Sequence, residues 1–184
     1  MLRLDFGEDY NRYVSMVRKL AIKLDDLIQA FDSRADDGDR YLNTETGEIL
    51  LVREEGRYEL ENLSERAQSL EHLEELVMKN VKAGLRDAVM ALARYEADEE
   101  IYMLIPTLTS GDGYQDMEEF IQTVNNVALQ NMLQEAIQGK GAFRRFKDAL
   151  NVAPEARERW FAFKAASVER RVLEWLAEND IEPI

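Results

Sequence analysis

Basic and aromatic side chains are concentrated in residues 140–171, here termed the basic segment. It contains nine Lys or Arg against four Asp or Glu, a local charge of +5 in a chain whose formal net charge is −14. Clustered cations can hold phosphate or carboxylate groups, and an exposed ring among them can stack on a base or dock a partner. The candidate partner-binding or anion-binding residues are Lys140, Arg144, Arg145, Lys147, Arg157, Phe161 and Lys164.

Three interpretations of this segment remain open. Internal neutralisation comes first, because Arg144 and Asp148 are four residues apart and acidic helices precede Arg157. A surface for a protein partner comes second, and a surface for nucleic acid or a nucleotide comes third.

The aromatic residues divide between two helical faces. Trp160 and Phe163 share one face, which indicates core packing. Phe161 instead lies on the side of Arg157 and Lys164, the arrangement expected of a ring that docks a partner or stacks on a base.

The tripeptide Gly139-Lys140-Gly141 raises the possibility of a phosphate site at the start of a helix, with Arg144 adding charge. It follows a predicted helix rather than a strand, and it lacks the spacing of a nucleotide-binding loop. The pattern therefore favours a turn between two helices.

Catalytic and metal-binding patterns are weak. His72 and Glu75 are three residues apart and can share one face, but one helix supplies too few metal ligands and the chain has no second histidine. Ser69 lies one turn before His72 without a third group to orient the pair. Asp112 and Asp116 lack the alternating oxygen ligands of a calcium loop. The sequence predicts no catalytic residue, no cofactor and no metal site.

Length and composition limit the class of protein. The 184 residues are 46% hydrophobic, enough for a single domain over 1–184 with its own core. The absence of cysteine excludes disulfide and thiolate chemistry, and no apolar run approaches 18 residues. We expect a cytoplasmic protein without membrane attachment, whose net charge of −14 opposes binding to nucleic acid by the molecule as a whole.

The amino-terminal part predicts a helix followed by a small sheet. Apolar residues from Tyr10 to Phe31 keep helical spacing, with a break expected near 23–25. Residues 40–43 and 48–52 read as a β-hairpin whose turn places Gly47 in the left-handed conformation. Residues 101–106 read as a third strand. The expected fold class is mainly α (α+β), with an antiparallel hairpin or three-stranded sheet.

Residues 57–97 form the acidic insert, which predicts one long helix, bent at Gly84 or straight. The helix either packs on its own domain or serves as an arm for self-association through residues 60–95. The apolar stripe consists of Leu60, Leu63, Ala67, Leu70, Leu73, Val77, Val81, Leu85, Ala88, Leu92 and Tyr95.

Residues 112–182 predict a compact helical carboxy-terminal unit. Asp112, followed by Gln115, suggests a helix start, and Gly139 and Gly141 end a later helix. Pro154 begins another helix, and a final one carries the apolar residues from Val168 to Leu176.

Two stretches resemble a bacterial uncharacterised protein family. The carboxy-terminal stretch contains GKGAFRRFKDAL, PEARERWFAFK and RVLEWLAEN, and the amino-terminal one contains DRYLN followed by TGEIL. The resemblance covers about 22–53 and 101–182 and implies no assigned reaction and no catalytic residues. The chain departs from the family pattern in a long amino-terminal extension and in the acidic insert.

These observations favour a non-enzymatic protein-interaction or regulatory module. The alternative is nucleic-acid or nucleotide binding through the basic segment. The two differ in whether the cations and Phe161 form an open positive surface or pack against acidic helices.

Overall fold

The computed structural model describes residues 17–33, 37–97 and 100–184. Within these ranges the chain is mainly helical with a small antiparallel sheet, as predicted, and no helix there is long and apolar enough to cross a membrane. The elements are β1 Arg18–Leu20, α1 Leu24–Phe31, β2 Asp39–Asn43, β3 Ile49–Val52, α2 Glu54–Ser64, α3 Leu70–Asn80, α4 Ala83–Glu96, β4 Tyr102–Leu104, α5 Ser110–Gln122, α6 Val127–Ala136, α7 Ala142–Asn151, α8 Pro154–Glu178 and β5 Ile181–Pro183.

The predicted hairpin and third strand form one antiparallel sheet in the order β3-β2-β4. Asn43 Oδ1 accepts hydrogen bonds from the amides of Glu45 and Thr46, which fixes the turn. Gly47 follows with φ of 78°, and a Cβ there would lie 2.3 Å from the carbonyl oxygen of Ala21. The left-handed glycine is confirmed, and the close backbone approach adds a second reason for it.

Each face of this sheet supports its own apolar core. Leu42 on one face packs with α1, β5 and the second half of α8. Tyr41 and Val52 on the other face pack with α2, α3 and α4. Alternation along β2 therefore sends neighbouring side chains into different cores.

The single long helix predicted for the acidic insert is wrong, because the segment forms three helices. Helix α2 ends at Ser64, and Ser69 caps α3 by accepting a hydrogen bond of 3.2 Å from the amide of His72. Val81 then adopts an extended conformation before α4. The capping serine starts a new helix, but the apolar residues keep their three- and four-residue spacing across the break.

Folding back brings the stripe of the insert into the protein. Leu63, Val77 and Leu92 are buried together, and the remaining apolar residues of the stripe from Leu60 to Ala88 are buried or packed against them. Self-association through residues 60–95 stays a prediction, but the exposed apolar seam that motivated it is covered within one chain.

The amino-terminal helix is correct only from Leu24, where α1 begins after the predicted break. Residues 18–20 form β1, a strand parallel to β5, with Arg18 opposite Ile181 and Leu20 opposite Pro183. The predicted helical residues from Tyr10 to Val14 lie outside the described part of the chain. Strand β5 follows the last helix and was not predicted.

The carboxy-terminal unit contains α5 to α8. The cap of α5 is Thr109 rather than Asp112, since the Thr109 side chain accepts from the Asp112 amide and the Asp112 carboxylate accepts from the Thr109 amide at 2.7 Å. Pro154 is the first residue of α8, as predicted. The two helices expected after it are one continuous helix of 25 residues, whose first half packs with α5 to α7 and whose second half packs with α1.

Candidate partner-binding surface

The turn between α6 and α7 is held by Arg145. Gly139 and Gly141 have φ of 70° and 81°, which lets the chain reverse between the two helices. The Arg145 guanidinium donates to the carbonyl oxygen of Ala136 at 3.0 Å and also to those of Gln138 and Lys140. Three carbonyl acceptors occupy this side chain, so Arg145 stabilises the end of α6 and is not free to bind a partner.

Other cations of the basic segment also bind within the chain. Lys164 pairs with Asp32 at 2.8 Å, which joins α8 to the end of α1. Arg159 donates to the carbonyl oxygen of Thr123 at 2.9 Å. Arg170 and Arg171 pair with acidic residues of α5. Lys164 therefore leaves the candidate surface together with Arg145.

The remaining cations stay at the surface. Arg144 lies 3.8 Å from Asp148, and its side chain is 89% exposed. No carboxylate of the described residues lies within 4.0 Å of Lys140, Lys147 or Arg157. Lys140, Lys147 and Arg157 therefore keep their charge available to a partner, and Arg144 is held only by an exposed pair.

Phe161 lies on α8, one turn after Arg157. Its side chain is 51% exposed, and the Arg157 guanidinium lies 5.5 Å from the centre of its ring, a cation–π contact one helical turn away. The sequence assigned both residues to one side of the helix, and the structure brings them together there.

Aromatic packing beneath this surface fixes α7 against α8. The Trp160 ring centre lies 4.9 Å from that of Phe146 and 5.3 Å from that of Phe120, and Phe163 stacks at 6.2 Å. Phe143, which is 42% exposed, lies apart from this cluster. The helices that carry the exposed cations are thus set by a rigid aromatic core.

A buried ion pair between α5 and α8 was missed by the sequence reasoning. Asp116 Oδ1 accepts from Arg171 Nη1 at 2.8 Å and from Ser167 Oγ at 2.7 Å, and the Asp116 side chain is 1% exposed. The sequence position of Asp116 could have indicated its burial, because Asp116 lies one turn before Phe120 on the apolar face of α5. A carboxylate there needs a buried partner.

The structure does not strengthen the weak sequence patterns for metal binding. No group of three His, Asp or Glu side chains in the described ranges is arranged to hold a metal ion. The Nδ1 atom of His72 accepts from the amide of Gln68 at 3.3 Å, so the imidazole helps to start α3. Asp112 serves the cap of α5, and the Thr109 hydroxyl bound to it lowers its pKa.

A cavity of about 660 Å³ lies where β2 and β3 meet α2. Its charged lining comprises Arg40, Arg53 and Arg57 together with Asp37, Asp39 and Glu54. Arg57 pairs with Asp39, and Arg40 donates to Ser33 Oγ at 2.7 Å. The charges of the lining balance, and one ion pair, Arg57–Asp39, is internal to it.

Comparison with known proteins gives a match over residues 80–184, more than half of the chain. The chain belongs to the uncharacterised protein family UPF0158. A relative in this family, UPF0158 protein PA5073 of Pseudomonas aeruginosa, is 29% identical over 91 residues, which is 50% of this chain and 60% of the relative. No solved structure matches the chain.

The extent of the UPF0158 match corrects one expectation from the resemblance. The matched region begins at residue 80 and therefore includes α4, which was assigned to the insert. The hairpin, which carried the amino-terminal resemblance, lies outside it. All candidate surface residues lie inside the region, so the site belongs to the part of the chain that the family shares.

Proposed function

We propose that this UPF0158 chain is a non-enzymatic, cytoplasmic protein-interaction module that docks an acidic partner segment on α7 and the start of α8. The observation that carries the proposal is the exposed Arg157–Phe161 pair on α8, together with the exposed cations Lys140 before α7 and Lys147 within it. Aromatic residues and arginine are both enriched in protein interfaces, and arginine is among the residues that carry most of the binding energy.

A protein partner is favoured over nucleic acid because few cations are left. Six of the nine cations in the basic segment bind carbonyl or carboxylate oxygens of the same chain, Arg144 among them through an exposed pair. The three that remain, together with Arg144, would neutralise only about four phosphates. One face of the Phe161 ring already meets Arg157, and the net charge of −14 repels a polyanion at longer range.

The proposal of a non-enzymatic role has separate support. The cavity beside α2 has a lining of balanced charge with one internal ion pair, and the buried carboxylate of Asp116 is held by Arg171 and Ser167 within the protein core. The Asp116 carboxylate is therefore not presented to a substrate as a general base.

The test places a photo-reactive phenylalanine analogue at position 161 of the full chain in living bacterial cells. Val127, which is also exposed but lies on α6, receives the same analogue as a matched control. We expect protein adducts at position 161 that are absent at position 127 and that disappear when Arg157→Glu is added.

Two outcomes would overturn the proposal. Adducts to RNA or DNA at position 161 would favour the nucleic-acid alternative. Equal adducts at both positions, or adducts that persist with Arg157→Glu and Lys147→Glu together, would show that the basic surface does not select a partner.

A further inference from the structure

A second cavity, of about 530 Å³, lies where the connection between α5 and α6 meets the connection between α7 and α8. The first connection is residues 123–126, and the second is residues 152–153. The volume falls within the range of about 300–1,000 Å³ that small-molecule sites occupy. Neither Arg157 nor Phe161 belongs to the lining, so this cavity is distinct from the proposed docking surface.

More than half of the lining residues are apolar. They are Val124, Leu129, Ala153, Pro154 and Ala156. The space remains open in part because positions 153 and 156 carry only a methyl group. An apolar side chain of a ligand would lose its contact with water here, which favours binding.

One guanidinium is fixed at this cavity. Arg159 Nη2 donates to the carbonyl oxygen of Thr123 at 2.9 Å and to its hydroxyl at 3.2 Å. The guanidinium carbon lies 5.9 Å from the centre of the Phe120 ring. The Nε and Nη1 atoms of Arg159 have no acceptor among the described residues. An arginine that is held in place with unused donors can bind a carboxylate.

One carboxylate belongs to the same lining. Glu155 precedes Arg159 by one helical turn, and no Lys, Arg or His of the described ranges lies within 4.0 Å of the Glu155 carboxylate. The other polar residues of the lining, Asn125 and Asn126, are uncharged. The cavity therefore offers one unpaired carboxylate and one guanidinium with unused donors beside an apolar wall.

From this combination we infer that the cavity binds a free apolar α-amino acid. Arg159 binds the α-carboxylate, Glu155 binds the α-ammonium group, and the apolar wall receives the side chain. Residues four apart on a helix have Cβ atoms about 5–6 Å apart, which suits the two neighbouring charges of a zwitterion. An apolar acid would leave Glu155 uncompensated, and an apolar amine would leave Arg159 uncompensated. The inference does not depend on the proposed function.

Titration of the full chain with leucine, followed through its backbone amide resonances, tests the site. We expect a Kd of about 1 mM or below, with the shifts concentrated at residues 123–129 and 153–159. Valine, isoleucine, methionine and phenylalanine, titrated in the same way, rank the side chain that fits. Isocaproate lacks the ammonium group of leucine and isoamylamine lacks its carboxylate, so each should bind at least about tenfold more weakly.

Charge variants assign the two roles. Arg159→Gln should raise the Kd for leucine at least about tenfold and leave that for isoamylamine unchanged or lower. Arg157→Gln removes the same charge from the same helix outside the cavity, and it should leave both unchanged. Glu155→Gln should weaken leucine and leave isocaproate unchanged or tighter. That contrast separates ligand binding from the favourable place of an acid in the first turn of α8.

A filled cavity provides a test that keeps both charges. Ala153→Leu should abolish the leucine shifts, and the remaining amide spectrum shows whether the variant is folded. The inference would be overturned if none of the five amino acids shifted an amide of the two connections at about 20 mM. Leucine shifts that persist in Ala153→Leu, or equal losses for Arg159→Gln and Arg157→Gln, would also overturn it.

Discussion

Among the ion pairs described above, loss of the Asp116–Arg171 pair should lower the free energy of unfolding most. Asp116 is 1% exposed and Arg171 is 15% exposed as side chains, and their closest atoms are 2.8 Å apart. Ser167 donates to the same carboxylate oxygen, while the buried Oδ2 accepts no hydrogen bond from the described residues. Asp116→Ala therefore leaves the Ser167 hydroxyl without its carboxylate acceptor and the partly desolvated guanidinium of Arg171 with only Ser167 Oγ and, at 3.9 Å, Asp112 Oδ1.

Removal of one partner of a buried pair costs about 3–5 kcal/mol, since the other charge stays buried. An exposed ion pair contributes far less to the free energy of unfolding, about 0.2–1 kcal/mol. Arg144–Asp148, with side chains 89% and 65% exposed, supplies such a pair in the same helical unit. Asp148→Ala is thus a matched control that removes the same side chain at the surface.

Urea unfolding followed by tryptophan fluorescence measures both variants, because Trp160 is buried in the core that α5 and α8 share. We expect a loss of about 3–5 kcal/mol for Asp116→Ala and below about 1 kcal/mol for Asp148→Ala. Asp116→Leu with Arg171→Met should recover most of the loss, since apolar residues then replace both charges. A loss under about 1 kcal/mol for Asp116→Ala would refute the buried-pair argument.

Two further changes test the cores. Trp160→Ala should cost about 3–5 kcal/mol in the free energy of unfolding, whereas Phe143→Ala, at a 42% exposed ring, should cost about 1 kcal/mol or less; equal losses would contradict the aromatic packing. Burial, with Tyr95 and Glu96 nearby, raises the pKa of Tyr41 to about 12. The unfolded chain loses this proton first, so the stability that the neutral phenol contributes is complete below pH 10 and is lost as pH rises towards 12. Tyr41→Phe should remove about 1 kcal/mol of the decline in stability between pH 9 and pH 11 in urea unfolding, and an unchanged decline would refute the assignment.

Local signals were sufficient for the sheet and for the start of α8. Gly47 in a turn between two β-rich runs and Pro154 before an amphipathic run each depend on the conformation of one or two residues. The neighbouring sequence determines such preferences, so they could be predicted without knowledge of the tertiary structure. The Arg157–Phe161 pair belongs to the same group, because it needs only one helical turn.

Features that depend on distant partners could not be predicted. The apolar spacing of the acidic insert is the same for one long helix and for three helices that fold back, since only Ser69 and Val81 mark the breaks. Strand β1 takes its conformation from β5, which lies about 160 residues later in the chain. Arg145 was predicted to bind a partner because the sequence does not show its acceptors. The α6–α7 turn brings the carbonyl oxygen of Ala136 to its guanidinium only in the folded structure.

The partners of the basic segment determine where charge remains on the molecule. Arg145 and Arg159 bind carbonyl oxygens, while Lys164, Arg170 and Arg171 bind acids of α5 and the end of α1. No ion pair in the described ranges joins the basic segment to the acidic insert. Internal contacts therefore reduce the positive charge of the segment without using the carboxylates of the insert. Positive charge on α7 and the net negative charge of α2 and α3 therefore lie on different helices, and the docking proposed above depends on the first of these.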